Sequence, residues 1–261
     1  MNTNILSIKY FFGKALRWPL KSVPPKLQVP IMSGGLRGYK WITGAGNHSH
    51  WLGTYEYKKQ KAFTKTIKSG SVVYDIGGHV GFYTLLSSAL VGSGGRVYVF
   101  EPLPRNIGFL KKHLKLNEVN NVQILSCAVS DSGKTMNFLE GPNSYMGRLS
   151  PRGKIKVKAV TVDDLCLVGK IVPPDYIKID VEGAEYLVLK GAEGVLSKYK
   201  PVIFLSTHGD KVHQKCISFL KSLGFVFSAV SKDKMKLSDE IIAKPQRIQK
   251  KAIYENHRPV E

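Results

Sequence analysis

From residue 71 onward, short apolar runs alternate with longer stretches of helical period. Runs rich in Val, Ile, Tyr and Phe at 71–76 (SVVYDI), 96–100 (RVYVF), 122–129 (VQILSCAV), 175–179 (DYIKI) and 201–206 (PVIFLS) read as buried strands. Helical patterns at 82–91, 104–116, 183–196 and 211–223 lie between most of them. Strands this uniformly apolar, separated by helices, predict an α/β fold with a doubly wound, mostly parallel sheet covered on both faces. The stretch from 134 to 162 breaks the rhythm. Its two strand-like pieces (KTMNFLE and KIKVKAV) flank a Gly/Pro/Ser/Tyr loop and predict a β-hairpin inserted before the strand at 175. Strand-like segments at 225–230 and 239–244 complete the sheet, and there is no internal repeat.

The first 70 residues read differently. Ile5, Ile8, Phe11, Phe12, Ala15 and Leu16 fall on one arc of a helix, with Lys14, Arg17 and Lys21 on another. Such a helix can lie on an anionic membrane surface or dock on its own domain. It is not a secretory signal, because its first basic residue, Lys9, lies inside the apolar stretch. Pro19, Pro24, Pro25 and Pro30 then give an extended connector. Residues 33–53 read as a loop or irregular lid, and a helical stretch runs from Glu56 to Lys68. The expected organisation is a basic N-terminal extension (1–32), an irregular cap with its helix (33–70), the main domain (71–244) and a basic tail (245–261).

Composition narrows the class. Over 261 residues, 43% hydrophobic and 22% charged content fits a folded globular protein. Cys127, Cys166 and Cys216 are far apart, which argues against a disulfide framework or a cysteine zinc site and for a reducing, cytoplasmic setting. The most apolar window, 72–92, is interrupted by Asp75, His79 and glycines and is no membrane span. The formal charge is +20, and residues 1–70 hold 12 basic residues against 1 acidic. That field favours anionic partners without choosing among nucleic acid, lipid headgroups and acidic substrates.

Open parallel sheets bind ligands at the carboxyl ends of their strands. The first strand there runs into Asp75-x-Gly77-Gly78-His79-x-Gly81, a tight turn feeding a helix whose amino end favours negative charge. Neither the dinucleotide GxGxxG spacing nor a GxxxxGK[ST] phosphate loop is met. Glu101 ends the second strand, about 20 residues past Gly81, where an acidic side chain can accept from ribose hydroxyls. Asp180, Glu182 and Glu185 gather after the strand at 175. Asp180 and Glu182 suit a substrate hydroxyl, a cationic group or a divalent ion, while Glu185 can simply offset a helix dipole. His208 follows the strand at 201 and is the side chain best suited to remove a proton near neutral pH.

Read together, WLGTYE (51–56), VVYDIGGHVGFYT (72–84), VFEPLP (99–104), AVSD (128–131), TVDDL (161–165), YIKIDVEGAEYLVLKGAE (176–193) and PVIFLxxH (201–208) resemble the FkbM family of S-adenosylmethionine-dependent methyltransferases. The resemblance runs from about Gly34 to Lys244. It implies a Rossmann-like, class I methyltransferase sheet of seven strands with the last antiparallel. It also implies methyl transfer to oxygen, commonly on a sugar or polyketide hydroxyl. By position, it implies that Asp75, Gly77, Gly78 and Gly81 cradle the methionine half of the cofactor, with His79 in a place where the family usually has Asn. Glu101 would hold the ribose, Ala128 would line the adenine pocket, and Glu56 and Asp180 would approach the methionine end. Ser206 departs from the family, which often carries Glu there, and this weakens any metal requirement.

The expected reaction is in-line attack by an acceptor hydroxyl on an activated methyl group, which needs positioning and removal of a proton. His208 is the first candidate for base, with Asp180 or Glu182 orienting a glycan or small-molecule acceptor. Two other readings stay open. One is an RNA methyltransferase, suggested by charge alone, although no basic stretch is interleaved with aromatics. The other is a non-catalytic, membrane-associated protein that keeps the fold.

Overall fold

A computed structural model of the chain describes residues 22–141, 147–230 and 239–246. The amphipathic helix expected within 1–21, the centre of the loop at 141–153 and nearly all of the basic tail lie outside the described residues. The strands are β1 (Gln28–Pro30), β2 (Lys40–Ile42), β3 (Val72–Ile76), β4 (Arg96–Phe100), β5 (Val122–Leu125), β6 (Ala128–Val129), β7 (Thr135–Leu139), β8 (Arg148–Leu149), β9 (Ile155–Val160), β10 (Tyr176–Ile179), β11 (Val202–Ser206), β12 (Phe225–Ala229) and β13 (Glu240–Pro245). The helices are α1 (His48–Leu52), α2 (Tyr57–Thr66), α3 (Phe82–Val91), α4 (Pro104–Leu116), α5 (Val162–Leu167), α6 (Glu185–Lys190), α7 (Glu193–Tyr199) and α8 (Asp210–Ser222).

Seven strands form the main sheet in the order β12-β13-β11-β10-β3-β4-β5. It is mixed. The five from β11 to β5 pair in parallel, and β13 runs antiparallel to both its neighbours. The strand period sorts residues onto two buried faces. Tyr74, Ile76, Tyr98, Phe100, Ile177 and Leu205 share one cluster with α6, α7 and α8. Val73, Val97, Val99, Tyr176 and Phe204 share the other with α2, α3 and the segment before β3. Asp75 and Lys178 alternate with the first set, so both point into the second face.

Four segments depart from the expected elements. The run 122–129 is two strands: after Leu125 the chain turns, with Cys127 N–H donating to the Leu125 carbonyl, and Ala128–Val129 pairs with β9 instead. The inserted hairpin is present as β7 and β9, extended by β8 and joined to β6 into a four-stranded sheet. The single helix expected over 183–196 is α6 and α7. Asp163, in the unforeseen α5, accepts from the amides of Gly194 and Val195 at 2.8 Å each, so its carboxylate caps a new helix start. Residues 33–53 are not an irregular lid. Asn47 caps α1 through Ser49 N–H, and Leu36, Trp41, Ala45 and Trp51 are buried.

Trp41 locks this segment to the core. Its ring lies 3.8 Å from His113 on α4 and 5.4 Å from His50, both stacked, and it meets Phe82 edge-on. His113 accepts from Ile42 N–H through Nε2 and donates through Nδ1 to the Val80 carbonyl, which fixes a neutral tautomer. Burial pushes His113 down to about 4 and His50 down to about 3. Trp41→Ala is expected to cost about 3–5 kcal/mol in urea unfolding.

Both histidines are neutral when folded but protonate below about 6.5 when unfolded. Stability is therefore full above that pH and falls towards pH 4, by up to about 1.4 kcal/mol per unit for each ring. His113→Gln should flatten that slope in unfolding curves recorded between pH 4.5 and 7.

Candidate active site

A cleft opens at the carboxyl ends of β3, β4 and β10, with an empty volume of about 940 Å³ including its mouth. Gly77, Gly78, His79, Glu101, Ala128, Asp180 and Glu182 line it, together with His50, Tyr55, Asn106 and Leu149. Asp75, Gly81, Glu56 and His208 lie behind or beside this wall. Asp75 is fully buried, accepts from the Thr84 hydroxyl at 2.7 Å and pairs with Lys178 at 3.1 Å. The pairing follows from register, since Asp75 and Lys178 are partners across β3 and β10. Lys178 also donates to the Gly77 carbonyl at 2.8 Å, tying the glycine turn to the next strand.

Backbone geometry around the cleft is unusual. Gly77 has φ +83°, and a Cβ there would fall 2.0 Å from the Asp180 carbonyl oxygen. The turn therefore needs glycine for both conformation and contact. Glu56, His79 and Glu182 hold left-handed φ values of 44°, 49° and 55° without being glycine. All three are candidates from the sequence.

Glu101 is 4% exposed, and burial raises its affinity for a proton despite three donors. His79 N–H gives 2.8 Å to Oε2, while Leu103 N–H and the Asn106 amide give 3.0 and 3.1 Å to Oε1. A carboxylate has about four acceptor positions. One is left for a ligand hydroxyl, fewer than the two expected for both ribose hydroxyls without sharing. Asn106, missed in the sequence, is buried beside it. Among the described residues its Oδ1 has no hydrogen-bond partner. Its one signal was its place on the first turn of the helix after Glu101.

At the other end stand Asp180, Glu182 and His208. His208 Nε2 lies 3.6 Å from Glu182 and 3.9 Å from Asp180, and its Nδ1 lies 2.8 Å from the fully buried Glu185. The Glu185 hydrogen bond leads in pushing His208 up to about 9, outweighing burial. At neutral pH the ring is an imidazolium. One donor atom each from Asp180, Glu182 and His208 lies within 4.8 Å of the others. A divalent cation at these atoms would have to displace a proton from the His208 ring. Asp180 stays ionised below the ordinary carboxylate range: burial raises it, but Lys59, Lys178 and His208 together pull it lower. Burial, opposed by His208, raises Glu182.

Glu56 sits beside the cleft-lining Tyr55 and Tyr83. Its carboxylate pairs at 2.9 Å with Lys59, a buried lysine absent from the sequence-derived site. Among the described residues no helix is long and apolar enough to cross a membrane.

Residues 75–227, more than half of the chain, match the Methyltransferase FkbM domain, and the chain belongs to that family. It is 28% identical over 134 residues to the hexuronic acid methyltransferase AglP of Haloferax volcanii, covering 51% of this chain and 54% of that protein. The chain thus spans about half the length of the curated relative it matches. Among solved structures, Methyltransferase FkbM from Methylobacillus flagellatus superposes with a TM-score of 0.49 at 16% identity, covering 76% of this chain and 55% of that one. A SAM-dependent O-methyltransferase from Thermotoga maritima gives 0.47 at 14% identity, covering 74% and 66%.

The Glu185 contact has a measurable signature. Glu185→Gln should lower the His208 pKa by about one unit or more, followed by imidazole NMR shifts between pH 6 and 10.

Proposed function

We propose that this protein is an S-adenosylmethionine-dependent O-methyltransferase whose acceptor is a hydroxyl of a carbohydrate or small natural product, with uronic-acid glycans the first class to test. The observation that carries the reading is the two-ended cleft: Glu101 and Asn106 at one end, and Asp180 and Glu182 at the other with His208 beside them. When bound, the cofactor supplies a methyl group already activated on a sulfonium.

The residues present fit that group. Glu101 has one acceptor position left and Asn106 Oδ1 has no partner, which suits the donors of a nucleoside. Gly77 and Gly78 leave the backbone bare over the turn, His79 fixes Glu101, and Ala128 offers a flat apolar wall. Ionised Asp180 suits the positive end of the ligand or the acceptor hydroxyl, and Glu182 orients the acceptor beside it.

His208 is the proposed base. With a pKa of about 9, only about one ring in a hundred is unprotonated at pH 7. Deprotonation must precede its work, so turnover should climb with pH.

The uronate preference rests on more than the relative's name. The inserted sheet lends Leu149 and Phe138 to the cleft wall, and its outer side carries Arg148 and the exposed Lys156 and Lys158. Arg148 is near enough to oppose the rise at Glu182. An anionic sugar beside Glu182 would meet Arg148, while Lys156 and Lys158 lie on the face turned away from the cleft.

Three measurements test the proposal. Calorimetry should show S-adenosylmethionine binding that weakens about tenfold or more in Glu101→Ala. Absence of binding to the wild type would sink the assignment. Methyl transfer to galacturonate oligosaccharides should proceed at higher rate than to neutral ones. kcat should rise about tenfold per pH unit from 7 towards 9 and lose that slope in His208→Ala. A flat wild-type profile would remove His208 as base and leave Asp180 to take the proton.

A further inference from the structure

Lys59 is 1% exposed on α2, yet its ammonium meets four groups from four separate places. Nζ lies 2.9 Å from Glu56 in the turn before α2, 3.3 Å from Asp180 Oδ2 after β10, 2.7 Å from the Ser206 hydroxyl at the end of β11 and 3.1 Å from Glu240 at the start of β13. The Tyr83 ring of α3 lies 5.4 Å from it. A buried ammonium survives only when paired and hydrogen-bonded. Burial works against its charge, but Asp180, Glu56 and Glu240 raise it and keep it protonated.

Ser206 and Glu240 are register partners across β11 and β13. At the strand tip where position 206 supplies only a hydroxyl, the neighbouring strand therefore brings a carboxylate to the same ammonium. Lys59 takes Oδ2 of Asp180 and leaves Oδ1 towards His208, at 3.9 Å.

We infer that Lys59 is a positioning residue for methyl transfer: it holds Asp180 ionised with Oδ1 turned to His208, and Glu56 and Glu240 hold Lys59. The inference rests on Asp180 and His208 being the working end of the cleft. The groups facing Asp180 are Lys59 from α2, Lys178 from β10 itself, His208 after β11 and Glu182 beyond the turn. Of these cations, Lys59 alone ties the strand tip to the segment packed over it.

His208 imidazole NMR reports on this without any methyl acceptor, because protonation of Asp180 gives an acid-side inflection in its shift. Removing the lysine charge should move that inflection up by about one unit or more in Lys59→Met and restore it in Lys59→Arg. Glu240→Gln should move it the opposite way, downward, because one competing carboxylate is gone. With galacturonate oligosaccharide as acceptor, Lys59→Met should lower kcat about tenfold between pH 7 and 9, where Asp180 is ionised in either protein and only its placement differs, with S-adenosylmethionine affinity changed less.

A folded Lys59→Met protein whose inflection stays at the wild-type pH would overturn the inference. If that variant does not fold, Glu240→Gln decides alone, and an unchanged or raised inflection refutes it. Failure of the functional reading looks different: the wild type would transfer no methyl group while these inflections still moved.

Discussion

The pairing of Asp75 with Lys178 sets the frame for everything at the cleft. Two opposite charges sit on adjacent central strands at matched register, buried between sheet and helices. Removing either partner would strand a charge in the interior, at a cost of about 3–5 kcal/mol. A one-residue slip of β10 against β3 would turn Lys178 to the opposite, wholly apolar face. The pair therefore fixes the register, and with it the relation of the glycine turn after β3 to the carboxylates after β10.

Charge is layered outward from that pair. Asp75 and Lys178 lie deepest, Lys59 gathers Glu56, Asp180 and Glu240 above them, and His208 sits among Glu182, Glu185 and Asp180 at the rim. Each cation is outnumbered by carboxylates as the mouth is approached. The result is an acidic interior in a chain whose formal charge is +20. Net charge thus describes the outer surface and says little about the chemistry of the cleft.

Much of this was legible in the chain. Apolar runs such as VVYDI and RVYVF gave strand boundaries within a residue, because both faces of the sheet are buried and the pattern is uninterrupted. Helices over 82–91 and 104–116 were read with their observed ends, since Gly92 and Asn117 stop them. What escaped depends on contacts between distant residues. The break between α6 and α7 comes from Asp163, about thirty residues away, whose side chain offers better acceptors than a continued helix. Trp41 and Leu36 sit among glycines and polar residues, and only tertiary packing makes that segment part of the core. Lys59 reads as one more charge in a basic helix (YKKQKAF), since nothing local distinguishes it from Lys58 or Lys61. The charge state of His208 was equally invisible, because Glu185 reaches it across 23 residues.

The inserted four-stranded sheet has a consequence of its own. Its backbone link to the rest runs through the two-residue pairing of β6 with β9, and a small apolar cluster around Phe138, Val157 and Ala159 seats it. One wall of the cleft is thus a nearly self-contained module, while the glycine turn and the carboxylates at the strand tips belong to the main sheet. The shape of that wall can change with the module while the Asp75–Lys178 register stays in place.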